Sequence, residues 1–491
     1  MLGVQGRCQS LCRAARSSRR RMVALGVGLL VGAFSGLAPT SASSETLEQA
    51  LADAYLLNPR LNAERARLRA IDEQVALAKS GLRPTITGTG EAAYVNQNSN
   101  FAGASTSLSA LGGGLTSDGV SHPHGYAVTL SQLLFGGFQN LNAVREAKSL
   151  VQAQREALRQ VEQVVLLDAA TAYVNVVRDQ AVVRLRENDV RVLTEQLKAT
   201  RDRFDVGEVT RTDVAQAEAR RSEALATLAG AQANLKSSRA TYEQVVGHPP
   251  GTLQAPPSIR HLLPNSLDVA MTLGDGENPT ILAAVYNEES SLYAVERIMG
   301  EMLPQVSLQA QYEKAFDQSS SIADVETTSV TGRVSVPLYQ GGSVSARVRQ
   351  AKETNTQLKR EVEDARLRVH ADVIANWGIL QSSGPAIRSA ESAVSANKIA
   401  LTGVREEEKV GQRTTLDVLD AQRELLNSQI GLVSALRDRV VAEYSLYSAI
   451  GRMDAQTLGL SVPYYDPFEH YEIVKNKLFG LKPPEPPLAD N

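Results

Sequence analysis

Val206-Gly207-Glu208-Val209-Thr210-Arg211-Thr212-Asp213-Val214 and Val410-Gly411-Gln412-Arg413-Thr414-Thr415-Leu416-Asp417-Val418 are two versions of one turn, set 204 residues apart. In each, a glycine permits backbone geometry that other residues resist. A threonine follows, with an acid three residues on, the spacing of a capping box that starts a helix. Each stretch therefore reads as the tip of a helical hairpin, and the chain holds two of them.

Working outward, the same offset of 204 links Leu134-Phe135-Gly136-Gly137 to Leu338-Tyr339-Gln340-Gly341-Gly342 and Ala147-Lys148 to Ala351-Lys352. It also links Tyr173 to Trp377 and Gly247 to Gly451. Nearer the start the offset is 220: Asn58-Pro59 recurs as Asn278-Pro279, and Pro84 as Pro304. So many ordered landmarks indicate an internal duplication, the first thing to look for in a long chain. The change from 220 to 204 places 16 extra residues in the first copy, between Pro84 and Gly137. That interval contains the Gly/Ser/Asn-rich stretch 96–125, which reads as a flexible loop. His122 and His124 lie within it, but two imidazoles alone do not make a metal site.

Upstream of each tip the pattern is helical. Apolar or small pairs at Ala143/Val144, Leu150/Val151, Ala157/Leu158, Val164/Val165 and Thr171/Ala172 recur every seven residues. Such a period keeps one seam against a neighbouring helix over many turns. No proline interrupts Gln139 to about Phe204, which predicts a helix on the order of 100 Å long. An ordinary soluble coiled coil would show the same period.

The strand patterns set this chain apart. Val306, Leu308, Ala310 and Tyr312 alternate with Gln305, Ser307, Gln309 and Gln311. Val330, Val334, Val336 and Leu338 alternate with Thr331, Arg333, Ser335 and Pro337. Thr85 to Val95 and Tyr126 to Phe135 are the weaker equivalents in the first copy. Alternating segments of this length suit a tilted strand crossing a bilayer, although a sheet with one wet face alternates too. A sheet in hydrocarbon must close, because an open edge leaves backbone groups unpaired. Four strands are too few for a barrel, for which about eight is the practical minimum. Transmembrane strands here thus demand several chains per barrel.

Composition agrees. The chain has 491 residues, 21% charged and 5% aromatic, with a single tryptophan, which suits long solvated helices better than a large globular core. Residues 1–42 read as a secretory signal peptide: Arg7, Arg13, Arg16, Arg19, Arg20 and Arg21 precede an apolar run from Met22 to Leu37, and Thr40-Ser41-Ala42 offers a cleavage site. Both cysteines, Cys8 and Cys12, lie inside it, so the mature chain has no thiol. Setting aside those six of the 51 basic residues leaves 45 against 54 acidic ones, a net charge near −9, which gives no footprint for nucleic acid.

With these residues in view, the chain resembles the TolC family of outer-membrane efflux proteins from Glu45 to about Leu481. The carriers are the two Asn-Pro helices, Leu82-Arg83-Pro84 and Leu303-Pro304 entering strands, the Gly-Gly exits, and above all the two Val-Gly turns followed by Asp213-Val214 and Asp417-Val418. The tail, with Tyr465-Asp466-Pro467, His470-Tyr471 and Lys477-Leu478-Phe479-Gly480-Leu481, resembles the type I secretion branch.

The resemblance implies an α+β membrane protein: a homotrimer in which each duplicated chain gives four strands to a 12-stranded β-barrel and its helices to a long periplasmic α-helical barrel. Its organisation would be a signal peptide (1–42), repeat 1 (43–256), repeat 2 (257–460) and a C-terminal tail (461–491). It would serve as the passive exit duct of a tripartite efflux pump or type I secretion system, embedded in outer-membrane lipid and opened at its helical tip by a periplasmic adaptor and an inner-membrane pump. No catalytic constellation, phosphate loop or metal set is expected, nor any cofactor. A periplasmic coiled-coil scaffold without a channel is the competing reading; the strand pairs argue against it.

The resemblance also implies roles at the tips. Asp417 and Asp420 would ring the entrance, and Arg413, Asp213 and Gln196 would link neighbouring hairpins and keep it shut. The chain departs at Glu408, where the best-known family pattern has a tyrosine, so Glu408 would pair with a basic group instead. Val206, Gly207, Thr210, Val410, Gly411 and Thr414 would meet the adaptor. Capping alone accounts for Asp213 and Asp417, whereas Asp420, opposite Gln216 in the other copy, is not required by the hairpin.

Overall fold

The computed structural model describes residues 44–97, 119–319 and 322–484. The expected signal peptide, 1–42, lies outside the described residues.

Asn58 and Asn278 each cap a helix that opens with proline. Their Oδ1 atoms accept from the backbone N–H groups of Arg60 and Thr280, both at 2.9 Å. Proline at the first helical position gives up only an N–H that has no partner anyway. In the first copy α1 (Leu47–Leu57) and α2 (Pro59–Ser80) precede β1 (Thr85–Ala92), the short pair β2 (Val95–Gln97) and β3 (Gly119–Ser121), and β4 (His124–Gly136). Then come α3 (Gln139–Asp205) and α4 (Arg211–Val246). The second copy runs α5 (Leu267–Glu277), α6 (Pro279–Met299), β5 (Gln305–Ser319), β6 (Ile322–Ser335), α7 (Ser343–Lys409) and α8 (Thr415–Ala449). A short α9 (Glu469–Val474) lies in the tail. Both α3 and α7 have 67 residues, about 100 Å at 1.5 Å per residue.

The sheet is antiparallel, in the order β1-β4-β5-β6. Thr85 pairs with Ser131 and Gln305 with Ser335, so the two hairpins share one register under the 220 and 204 offsets. Three strand expectations need correction. The first strand ends at Ala92 rather than Val95. The last ends at Ser335, leaving Val336 and Leu338 outside, because Pro337 has no N–H for the ladder. The stretch 96–125, expected to be a loop, carries β2, β3 and the start of β4, with 98–118 outside the described residues.

The helices have an order of their own. α3 packs along α4 on one side and α8 on the other, and α8 packs along α7. The core lies midway along α3 and at the C-terminal ends of α4 and α8, around Leu166, Tyr173, Tyr242, Leu446 and Tyr447, all almost fully buried with α1 and α5 over them. The tail returns to the first copy: the Tyr55 hydroxyl accepts from the Tyr465 backbone N–H at 2.9 Å, and buried His470 meets buried Asp72 at 3.1 Å.

Candidate functional site at the helical tips

Each tip is fixed by short-range chemistry. Gly207 and Gly411 have φ of +79° and +75°, the left-handed region that glycine enters at least cost. The Gly207 and Gly411 N–H groups donate to the carbonyls of Phe204 and Glu408 at 2.9 and 3.0 Å, closing the outgoing helices. Thr210 and Thr414 open the returning ones, with complete capping boxes to Asp213 and Asp417. Asp213 accepts from the Thr210 hydroxyl at 2.7 Å and its N–H at 2.8 Å; for Asp417 and Thr414 the distances are 2.8 and 2.9 Å. The threonine bonds hold both carboxyls below the usual aspartate range.

Val206 and Val410 are 72% and 70% exposed, so each tip ends in an apolar side chain beside a glycine. Behind them, Leu419 of α8 inserts between α3 and α4 against Leu193, Leu197, Ala217 and Ala224. Leu401, Val418 and Leu425 fasten the other hairpin. The two hairpins of one chain are thus joined just above their tips.

Charged contacts complete the junction. Arg203 on α3 reaches Glu408 on α7 at 2.6 Å, and the Glu408 side chain is only 12% exposed. The basic partner that Glu408 needed is therefore Arg203, which the sequence did not single out. Asp420 meets Arg220 of α4 at 2.8 Å and Arg423 of its own helix at 3.4 Å. Two guanidiniums thus flank it. Arg413 pairs within its own turn with Glu407 at 2.9 Å. Gln196 sits half-buried on α3, one turn before Thr200, whose hydroxyl donates to the Gln196 carbonyl at 2.8 Å.

His124 Nδ1 lies 2.9 Å from the His122 carbonyl and His122 Nδ1 lies 3.8 Å from Asp317. Among the described residues a different trio comes together, Glu45, Asp53 and His248, which no sequence spacing announced. Among the described residues no helix is long and apolar enough to cross a membrane.

The pattern of two matched segments extends to known proteins. Residues 50–248 and 275–452 match the family model "Outer membrane efflux protein". The chain belongs to that family. Among relatives of this outer membrane efflux protein, "Outer membrane efflux protein BepC" of Brucella suis is 41% identical over 446 residues, 91% of this chain and 94% of BepC. "Outer membrane protein TolC" of Escherichia coli is 24% identical over 453 residues, 89% and 88% of the two chains. The crystal structure of the Campylobacter jejuni CmeC outer membrane channel superposes with a TM-score of 0.75 at 15% identity, over 88% of this chain and 90% of that one. The fold is TolC-like, and as an outer membrane efflux protein the chain is an exit duct of the cell's outer membrane with a periplasmic helical tunnel.

Proposed function

We propose that three copies close into one duct, with a 12-stranded barrel above and a helical tunnel below, and that a periplasmic adaptor coupled to an inner-membrane pump opens it at the tips. Residues 43–256 and 257–460 are its two repeats and 461–491 its tail. The observation that carries the proposal is the pair of raw edges. Among the described residues β1 and β6 each have one unpaired side, all eight β1 positions are exposed, and α4 and α7 are the matching outer helices. An unpaired edge in hydrocarbon costs several kcal/mol per backbone group, and closure removes it.

Duplication supplies the register of the missing contact. Thr129 opposes Gln311 and Leu130 opposes Ala310 across β4–β5. Shifting these pairs by 204 and 220 sets Arg333 opposite Glu91 of the partner subunit, and Val334 opposite Gly90 of the partner subunit. Opposite charges directly across a ladder favour pairing. The junction between copies then repeats the junction inside one copy.

At the entrance, Asp417 and Asp420 form an acidic ring favouring cations, with Arg220 and Arg423 tempering it. Arg203–Glu408 is the latch within a chain; Arg413, Asp213 and Gln196 hold neighbouring hairpins together. Val206, Gly207 and Thr210, with Val410, Gly411 and Thr414, are the adaptor's contact points, exposed apolar side chains being a common mark of protein interfaces. The duct's role is transport, with no catalytic step, and the choice of cargo sits with the pump it serves.

Planar-bilayer recording of the purified full chain tests the reading. A duct gives unit conductance with cation preference. A scaffold without a channel leaves the bilayer silent, and that result would overturn the proposal.

A further inference from the structure

Gly247-His248 and Gly451-Arg452 are equivalent posts, each just beyond the end of a returning helix and 204 residues apart. Both glycines are left-handed, with φ of +103° and +87°. At the second post Arg452 holds Glu277 with two bonds of 2.7 and 2.8 Å. The first post faces two carboxylates: His248 Nε2 lies 3.2 Å from Asp53 Oδ2 and 3.7 Å from Glu45 Oε1.

The other ring nitrogen decides what His248 offers. Nδ1 lies 3.1 Å from the Pro249 carbonyl, which only accepts, a contact met by the tautomer that carries its proton on Nδ1. In the neutral ring Nε2 then has a lone pair aimed at two negative groups. That arrangement requires a cation between them. Arg452 brings its own charge to the equivalent post, whereas His248 does so only by taking a proton or by sharing a metal ion.

We propose that His248 Nε2, Asp53 Oδ2 and Glu45 Oε1 form a divalent-metal site of the zinc class, clamping the N-terminal segment to the end of the first hairpin. Zinc takes nitrogen and oxygen ligands at about 2.0–2.2 Å in a tetrahedron, which puts neighbouring donor atoms about 3.3–3.6 Å apart. The two distances from Nε2 bracket that range, and all three donor atoms lie within 4.8 Å of one another. A backbone carbonyl on the far ring nitrogen is the usual way a metal-bound histidine is oriented. Glu45 is oriented too: it accepts from the Tyr242 hydroxyl and from the Gly251 N–H at 3.3 Å. His248 and Asp53 keep 35% and 41% of their side chains exposed, leaving an open side for a water as fourth ligand. The segment held is short and otherwise tied by backbone bonds: the Glu45 N–H donates to the Thr252 carbonyl at 2.9 Å, and the Gln254 N–H to the Glu45 carbonyl at 3.1 Å.

The test uses the full chain, purified in detergent without a histidine tag and stripped of metal, dialysed against Zn²⁺ and assayed for bound zinc. Two variants accompany it: His248→Gln, and His248→Arg, which copies the second post. The Arg variant supplies a permanent charge and keeps the clamp, so it separates metal loss from misfolding. Wild type should hold one more Zn²⁺ per chain than either variant, and Co²⁺ in place of zinc should give visible bands that both variants lose. Binding should weaken as the pH falls, because the ligand nitrogen must be free of its second proton. Equal zinc in wild type and His248→Arg would place any bound metal elsewhere, the tip carboxylates included, and overturn the site. Wild type without bound zinc would leave the post as a proton-held ion pair and overturn it equally.

Discussion

Within one chain, α3 and α8 are interior helices and α4 and α7 are edge helices. The contrast is sharpest between α3 and α7, which have the same length and come from the same repeat position. α3 buries apolar residues along its whole course, from Val144 to Leu197, whereas α7 leaves Leu367, Ile374 and Ile399 at 68%, 48% and 70% exposed. Equal ancestry with unequal burial means the difference lies in neighbours rather than in sequence design. α3 has its neighbours inside the chain; α7 has one flank without them. The sheet repeats the lesson, with β4 and β5 paired on both sides and β1 and β6 on one.

The largest effect is expected from the interior. Leu166→Ala, at a site with 0% exposure, should cost about 2–5 kcal/mol of the chain's own stability, seen as a lower melting temperature and poor recovery. Leu367→Asp on the edge helix should leave the chain's helical content intact and remove trimers from native gels. If Leu367→Asp still assembled normally, α7 would not be an interface helix.

A second contrast sets a carboxyl against a guanidinium at matched positions. Glu162 on α3 is half-buried, accepts from the Ala455 N–H at 2.8 Å, and desolvation pushes its carboxyl up to about 7. Its counterpart on α7, Arg366, is exposed. A carboxyl raised in the folded state supports folding below its unfolded value of 4.5 and loses that support as pH rises through about 7. Glu162→Gln should therefore match wild type near pH 4.5 and be more stable at pH 8, by about 1–3 kcal/mol. Thermal melts at the two pH values read this directly; an unchanged difference between them would contradict the burial argument.

The tips give smaller effects. Arg203→Ala removes a latch worth about 1 kcal/mol per copy and should raise unit conductance without changing selectivity. Replacing Asp417 and Asp420 together with alanine should weaken cation preference and block by multivalent cations. The change should be modest, since Arg220 and Arg423 already offset Asp420. Parental selectivity and block in that double variant would reduce Asp420 to a surface acid.

What the sequence made legible follows the range of the forces involved. The tips are local: a glycine, a threonine and an acid three residues apart suffice, and Thr210/Asp213 and Thr414/Asp417 stand as their spacing predicts. The long helices were legible for the same reason, with α3 beginning at Gln139 and ending at Asp205. Strand ends were less so, because alternation continues through Val336 and Leu338 although pairing has stopped at Ser335. Arg203–Glu408 and Arg220–Asp420 join residues some 200 positions apart. Their partnership depends on how one hairpin leans on the other, which no local pattern encodes. Glu45, Asp53 and His248 escaped notice for the same reason.

If three copies close as proposed, the contact between copies repeats the contact within one. Engineering Glu91→Cys together with Arg333→Cys tests it, since both native cysteines, Cys8 and Cys12, lie ahead of the described residues, and the membranes can be treated with a short thiol-reactive crosslinker. The account predicts efficient covalent trimers from this pair, and little product from Glu91→Cys with Val330→Cys, displaced three residues along β6. Monomers from the matched pair, or equal trimer yields from both pairs, would contradict it.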